Sequence, residues 1–223
     1  MFIQEETIAD QRPALAVFAP DREFLLKYFD RAFDCRITEN IDDATEKNAI
    51  TILGINEPVS HKAQEFIKLA KAQDKNIITL RVPHVIGTGM GGTMLRLARR
   101  VARGSQFQIR DDNTKWSVIH ATDIAAAALT IASNNESDVE YTISAPPITV
   151  NDLLDALSHR IKNKRIGTIS PRWAKILYGG ELFKMLSTEN IVDTSAFSTH
   201  YPNFKFINPA DYLRTHDYDD ESL

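Results

Sequence analysis

Apolar positions along this chain alternate between two rhythms. Ala14 to Phe18 is a short run without polar interruption, the pattern of a strand buried on both faces of a parallel sheet. It gives way to helical spacing, in which Phe24, Leu25, Tyr28, Phe29, Ala32 and Phe33 share one face and Asp21 opens the helix. The alternation then repeats. Ala49 to Ile55 reads as a second buried strand, Ser60 to Gln73 as a helix packing through Ala63, Phe66, Ile67 and Ala70, and Ile77 to Val85 as a third strand. Residues 35 to 47 are polar and admit one short strand and a loop. Such alternation predicts a parallel sheet built from βαβ units, with binding at the carboxyl ends of its strands.

A glycine-rich stretch, Gly87-Thr88-Gly89-Met90-Gly91-Gly92, separates this first part from a helix over Thr93 to Arg103. Strand patterns follow at Phe107 to Ile109, Trp116 to His120 and Val139 to Ser144, with an apolar helix from Asp123 to Ala132 between the last two. Asp123 is placed to cap that helix. Thr149 and Asp152 form a capping-box pattern before a helix whose face is Val150, Leu153, Leu154, Leu157 and Ile161. A Pro171 helix runs to Leu186 across Gly179 and Gly180, and Asp217 to Glu221 reads as a frayed acidic tail. The expected fold is α/β: one domain with helices on both faces of a parallel sheet.

Composition narrows the function classes. With 223 residues, 43% hydrophobic, the chain can bury a full core. A formal charge of −4 gives no reason to expect nucleic acid. The single cysteine, Cys35, excludes an internal disulfide and a thiolate metal cluster. Acidic residues in Met1 to Glu6 do not fit a secretory signal, and Ile124 to Ala132 is too short to span a bilayer. A soluble cytoplasmic protein without a membrane partner is the expectation.

The glycine stretch spells G-x-G-x-x-G between a strand and a helix, which fits a dinucleotide fingerprint, yet it stands mid-chain. It also belongs to a longer series of landmarks. Leu80-Arg81-Val82-Pro83-His84-Val85-Ile86-Gly87-Thr88-Gly89 is followed by Val118-Ile119-His120-Ala121-Thr122-Asp123-Ile124-Ala125. Tyr141-Thr142-Ile143-Ser144 and Ile148-Thr149-Val150 come next. In order and spacing these resemble the NAD-dependent epimerase/dehydratase family, the extended short-chain dehydrogenase/reductases acting on nucleotide sugars; the resemblance covers roughly residues 60 to 160. It implies that Gly87 to Gly92 shape a substrate-side loop and that His84 stands where the family has an asparagine contacting the sugar nucleotide. With the basic helix that follows, the expected ligand-binding set is Arg81, Pro83, His84, Gly87, Gly89, Gly92, Arg96 and His120. The resemblance also implies a Rossmann-like domain whose shortened amino-terminal half forms a core over residues 12–90, with residues 91–110 and 145–215 as a small substrate-type subdomain, and a homodimer formed through the helix at Ser60 to Gln73.

The chain departs from the family at two places. The first strand leads into Ala19-Pro20-Asp21-Arg22-Glu23, with no glycine to admit a pyrophosphate and with acids that repel one. Lys62 matches the lysine of the family's Y-x-x-x-K, but the tyrosine position is Pro58, which cannot exchange a proton. Tyr201 and Lys205 have the right spacing in the wrong context. Lys62 and His84 are the candidates left for acid/base work, and Lys62 alone reads as a solvated helix residue. Arg96, Arg99, Arg100 and Arg103 share a helical face that could hold a diphosphate, although such runs usually form a solvated face.

The expectation is a catalytically inactive homologue that binds a phosphorylated metabolite or nucleotide, with no cofactor, or NAD or NADP if the family function is retained. One alternative is a non-catalytic interaction or regulatory subunit, as a homodimer or partner of a full-length relative. The other is an active enzyme using displaced residues such as His84 with Lys62.

Overall fold

The computed structural model describes residues 13–215 apart from 21, 56 and 163–165. The sequence readings at Met1 to Glu6, at Asp21 and at Asp217 to Glu221 lie outside the described residues. In chain order the first part comprises β1 (Ala14–Phe18), α1 (Leu26–Phe33), β2 (Arg36–Thr38), β3 (Asn48–Gly54), α2 (His61–Ala72), β4 (Asn76–Val82), β5 (His84–Ile86) and α3 (Gly92–Ala102). Then come β6 (Gln108–Ile109), β7 (Lys115–Trp116), β8 (Val118–His120), α4 (Ala121–Ser133), β9 (Val139–Thr142) and β10 (Ile148–Thr149). The last elements are α5 (Val150–Lys162), β11 (Thr168–Ile169), α6 (Pro171–Leu186), α7 (Ser195–His200) and α8 (Pro209–Thr215).

The central sheet has the order β2-β1-β3-β4-β9, all parallel, as the buried strand patterns predict. Val17, Ile50 and Ile78 are register partners across β1, β3 and β4 and pack with α1 and α4 on one face. Ala16, Ala49 and Ile77 point the other way and meet Phe66 and Ala70 of α2. Both faces are covered, which is why these strands carry no polar alternation. Ser60 caps α2 by accepting from the Ala63 amide at 3.2 Å. The edge strand β9 is shielded by an aromatic cluster from the C-terminal part, in which Phe197, Tyr201, Phe204 and Phe206 gather beside Tyr141.

Two expected strands are each divided. The chain leaves the central sheet at Val82, because Pro83 has no amide to donate to a ladder, and β5 pairs with β8 instead. The expected strand Trp116 to His120 breaks at Ser117, whose amide donates to the Asn190 carbonyl, so that β7 pairs with β10 and β8 with β5. Crossing out of the sheet carries α3, α5, α6 and α8 into a second apolar cluster, with Trp116, Leu97, Leu154 and Leu157 buried at its centre. Residues 195–206 return to the sheet cluster rather than joining this one. Among the described residues, no helix is long and apolar enough to cross a membrane.

Candidate functional site

From β1 the chain winds outward to β2, and from β3 it winds the opposite way through β4 to β9. A crevice opens outside the carboxyl ends of strands at such a reversal. Here it holds a cavity of about 290 Å³. Arg22 and Phe24 enter it from the turn after β1, Glu57 from the turn after β3, Pro83 and His84 from the exit of β4, and Gly91 to Met94 from the start of α3.

The strand-end wall is closed by its own charges. Arg22 Nη2 lies 3.1 Å from Glu57 Oε2, and the same oxygen accepts from the Gly54 amide at 2.7 Å. A side chain at Gly54 would place its Cβ 2.8 Å from that oxygen and 2.9 Å from Arg22 Nη2. Arg81 braces this wall from behind. Its guanidinium pairs with Glu140 and donates to the Glu57 carbonyl at 2.9 Å, and it does not line the cavity.

The opposite wall is the first turn of α3. Among the described residues no side chain caps Gly91, so the amides that open the helix retain their positive end of the helix dipole. Arg96 reaches back to Thr93 Oγ1 at 3.2 Å and so stands one turn behind the cavity. Arg100 does not share in this: it bonds Gln106 and the Ser105 carbonyl and lies over the Tyr178 ring.

His84 stands between the cavity and an adjoining apolar groove of about 520 Å³ floored by Trp116 and Met185. Its ring is 4.8 Å from that of Trp116, and Asn190 Nδ2 lies 3.1 Å from Nε2. Burial lowers its pKa, so the imidazole is uncharged at neutral pH. It can accept or relay a proton but does not supply a cation.

Gly87 and Gly89 serve the support of the site. Gly87, at φ 148°, lies against Tyr28 Oη, which accepts from the Thr88 amide at 2.9 Å. Gly89, at φ 83°, lies against Phe24. Only glycine permits both this backbone and this approach to α1. Gly92 lines the cavity, whereas Gly87 and Gly89 do not.

His120 and Asp123 are buried behind the loop. The expected cap is corrected here: α4 begins at Ala121, and His120 Nδ1 accepts from the Thr122 amide at 3.2 Å. Asp123 is turned inward, accepting from the Ile207 amide at 2.9 Å, and desolvation pushes its pKa up to about 6. The His120 ring is 3.9 Å from that of Tyr212. Lys62 is exposed on α2 and does not line the cavity. Tyr201 sits in the aromatic cluster at β9, where burial raises its pKa.

Sequence reasoning passed over Glu57 and Asn190 and weighed Arg22 only as part of a turn without glycine. The rule that binding sites follow parallel strands could have marked Arg22 and Glu57. No local signal marks Asn190.

No family model matches the chain, and no curated protein matches its sequence. Solved structures do resemble it. The UDP-N-acetylglucosamine 4-epimerase from Bacillus cereus superimposes with a TM-score of 0.58 at 10% identity, over 91% of this chain and 97% of that one. A putative epimerase from Burkholderia cenocepacia J2315 gives 0.56 at 10% identity, over 92% and 96%. The enzyme WbmH of Bordetella bronchiseptica, solved in complex with NAD+, gives 0.51 at 11% identity, over 75% of this chain and 60% of that one. The fold is the Rossmann-like fold that these structures share. At such identity the likeness extends to the fold alone.

Proposed function

We propose that this chain binds a phosphorylated metabolite or nucleotide in the cleft at the winding reversal and does not perform the redox-assisted chemistry of nucleotide-sugar epimerases. The observation that carries this reading is the unequal lining of the cleft. The uncapped start of α3 offers amide donors, while Arg22 and Glu57 occupy the strand-end wall. An anionic ligand would seat its phosphate against α3, as helix amino-termini do, and lay its remaining surface along His84 toward Trp116.

The residues at the first turn do not fit the pyrophosphate of NAD or NADP. Ala19 and Pro20 provide no glycine for close backbone approach, Glu23 lies in the first helical turn, and the Glu57 carboxylate takes the Gly54 amide. Lys62 has no tyrosine partner at the family's spacing, since Pro58 holds that place. The test is calorimetric titration with UDP, UDP-sugars and NAD(H). Binding of UDP or a UDP-sugar without NAD(H) is expected; micromolar NAD(H) binding would overturn the reading.

A second reading is supported by WbmH, which shares the fold and was solved with NAD+. In that case the chain would turn over a nucleotide sugar with bound NAD or NADP. Turnover that survives in wild type and is lost in His84→Ala would establish it.

A further inference from the structure

The start of α6 departs from the rest of the surface. Its inner side is fixed: Ala174 is buried, and the Tyr178 hydroxyl accepts from the Phe107 amide and donates to the Phe107 carbonyl, both at 2.7 Å. Its outer side carries Trp173, Ile176 and Leu177, which are 62%, 70% and 54% exposed. These positions share one helical face. Arg172 and Lys175 are exposed beside them. A side chain built at Gly179 or Gly180 would meet no atom of the described residues within 4 Å. Gly179, at φ 71°, kinks the helix there, setting off Pro171 to Tyr178 as a separate two-turn segment.

Along the sequence, the start of this helix and the stretch before it are basic. Residues 156–180 hold six lysines and arginines and no acid, although the whole chain has 30 acidic residues and a formal charge of −4. An exposed tryptophan with aliphatic neighbours, flanked by cations on a short helix, is the composition of an interfacial helix that rests on anionic lipid. A second copy is a poorer match. Two-fold pairing of this face would gather Arg172 and Lys175 of both copies at one interface. Three large side chains also fall short of the roughly 800 Å² per partner that a stable dimer buries.

We infer that the outer face of α6 docks the protein on an anionic membrane surface, with Trp173, Ile176 and Leu177 entering the interface and Arg172 and Lys175 facing lipid phosphates. This is peripheral contact, and it requires no spanning helix.

The two tryptophans make the test direct, because Trp116 is 1% exposed and Trp173 is open, so a change in emission reports on Trp173. The purified chain is titrated with vesicles of phosphatidylcholine alone and of equimolar phosphatidylcholine and phosphatidylserine. Emission is expected to shift to the blue and lose acrylamide quenching only with the anionic vesicles, with affinity falling as salt is raised. Co-sedimentation should fall about tenfold for Ile176→Ser and for Lys175→Glu, each an exposed substitution. Circular dichroism of both variants should match wild type. No shift with anionic vesicles overturns the inference. So does a Trp173 already shielded without vesicles, or a dimer that Ile176→Ser dissociates, since either places protein on this face. Unlike the ligand proposal, these readouts need no nucleotide, so the two can fail separately.

Discussion

At the strand-end wall of the cleft, Arg22 and Glu57 pair at 3.1 Å and Glu57 also takes the Gly54 amide, whereas the facing wall is a helix start that no side chain caps. The first wall has satisfied its polar groups from within the chain. The second leaves donors for something else. In the family that the sequence resembles, the first wall is where a pyrophosphate is admitted; the proposed anionic ligand is therefore placed at α3 and away from β1, and the contrast between the walls is what the following variants test.

Breaking the support of the α3 wall should have the largest effect. Gly87→Ala places a Cβ 2.8 Å from Tyr28 Oη at a positive φ, and should cost about 2–3 kcal/mol in denaturant unfolding while weakening UDP binding. Asp123, buried behind the same wall, gives the next effect. Its folded pKa, about 6, lies above the ordinary 3.8, so the folded state holds the proton more tightly. Its contribution to stability is present below about pH 4 and is lost as pH rises toward 6, by roughly 2 kcal/mol. Asp123→Asn should lack that slope, so that it appears in the difference between the two proteins' stability curves.

The strand-end wall is tested by Glu57→Ala. This leaves the Gly54 amide without its acceptor and Arg22 without its partner, for a cost of about 1–2 kcal/mol. If the wall is closed by that carboxylate, UDP should bind several-fold more tightly; unchanged affinity would mean that the ligand never approaches Arg22. The smallest change in stability should come from Gly91→Asp. The position is extended and has open space around it, so an aspartate can cap α3 and add a few tenths of a kcal/mol. It should also weaken UDP binding by about tenfold by occupying the same amides with a negative charge. A more stable protein with undiminished affinity would place the ligand elsewhere.

Much of the fold was legible because its signals are local. Ser60 caps α2, Thr149 and Asp152 bond each other at 2.6 Å before α5, and Gly179 breaks α6, all within a few residues of the signal. The two divided strands were less legible. Pro83 marked the first break, but the apolar run through Val85 concealed it; at Ser117 nothing local announces the change of partner. The candidate site was read in part. His84 and Gly92 line the cavity, while Arg81 and Gly87 were found by pattern and are used as supports.

The alternation of strands and helices from β1 to β4, the doubly covered sheet and the absence of glycine after β1 follow from the sequence alone, because period and turn chemistry act over a few residues; α7 and α8 did not. The cleft's character depended on contacts that span the chain: Glu57 with Arg22, Thr88 with Tyr28 at a separation of 60, and Asn190 with His84 at a separation of 106. Such pairs exist only once the sheet has set its strand ends side by side and packing has chosen which polar groups meet. That step turned a glycine-rich motif into a braced loop and left the open donors at the start of α3.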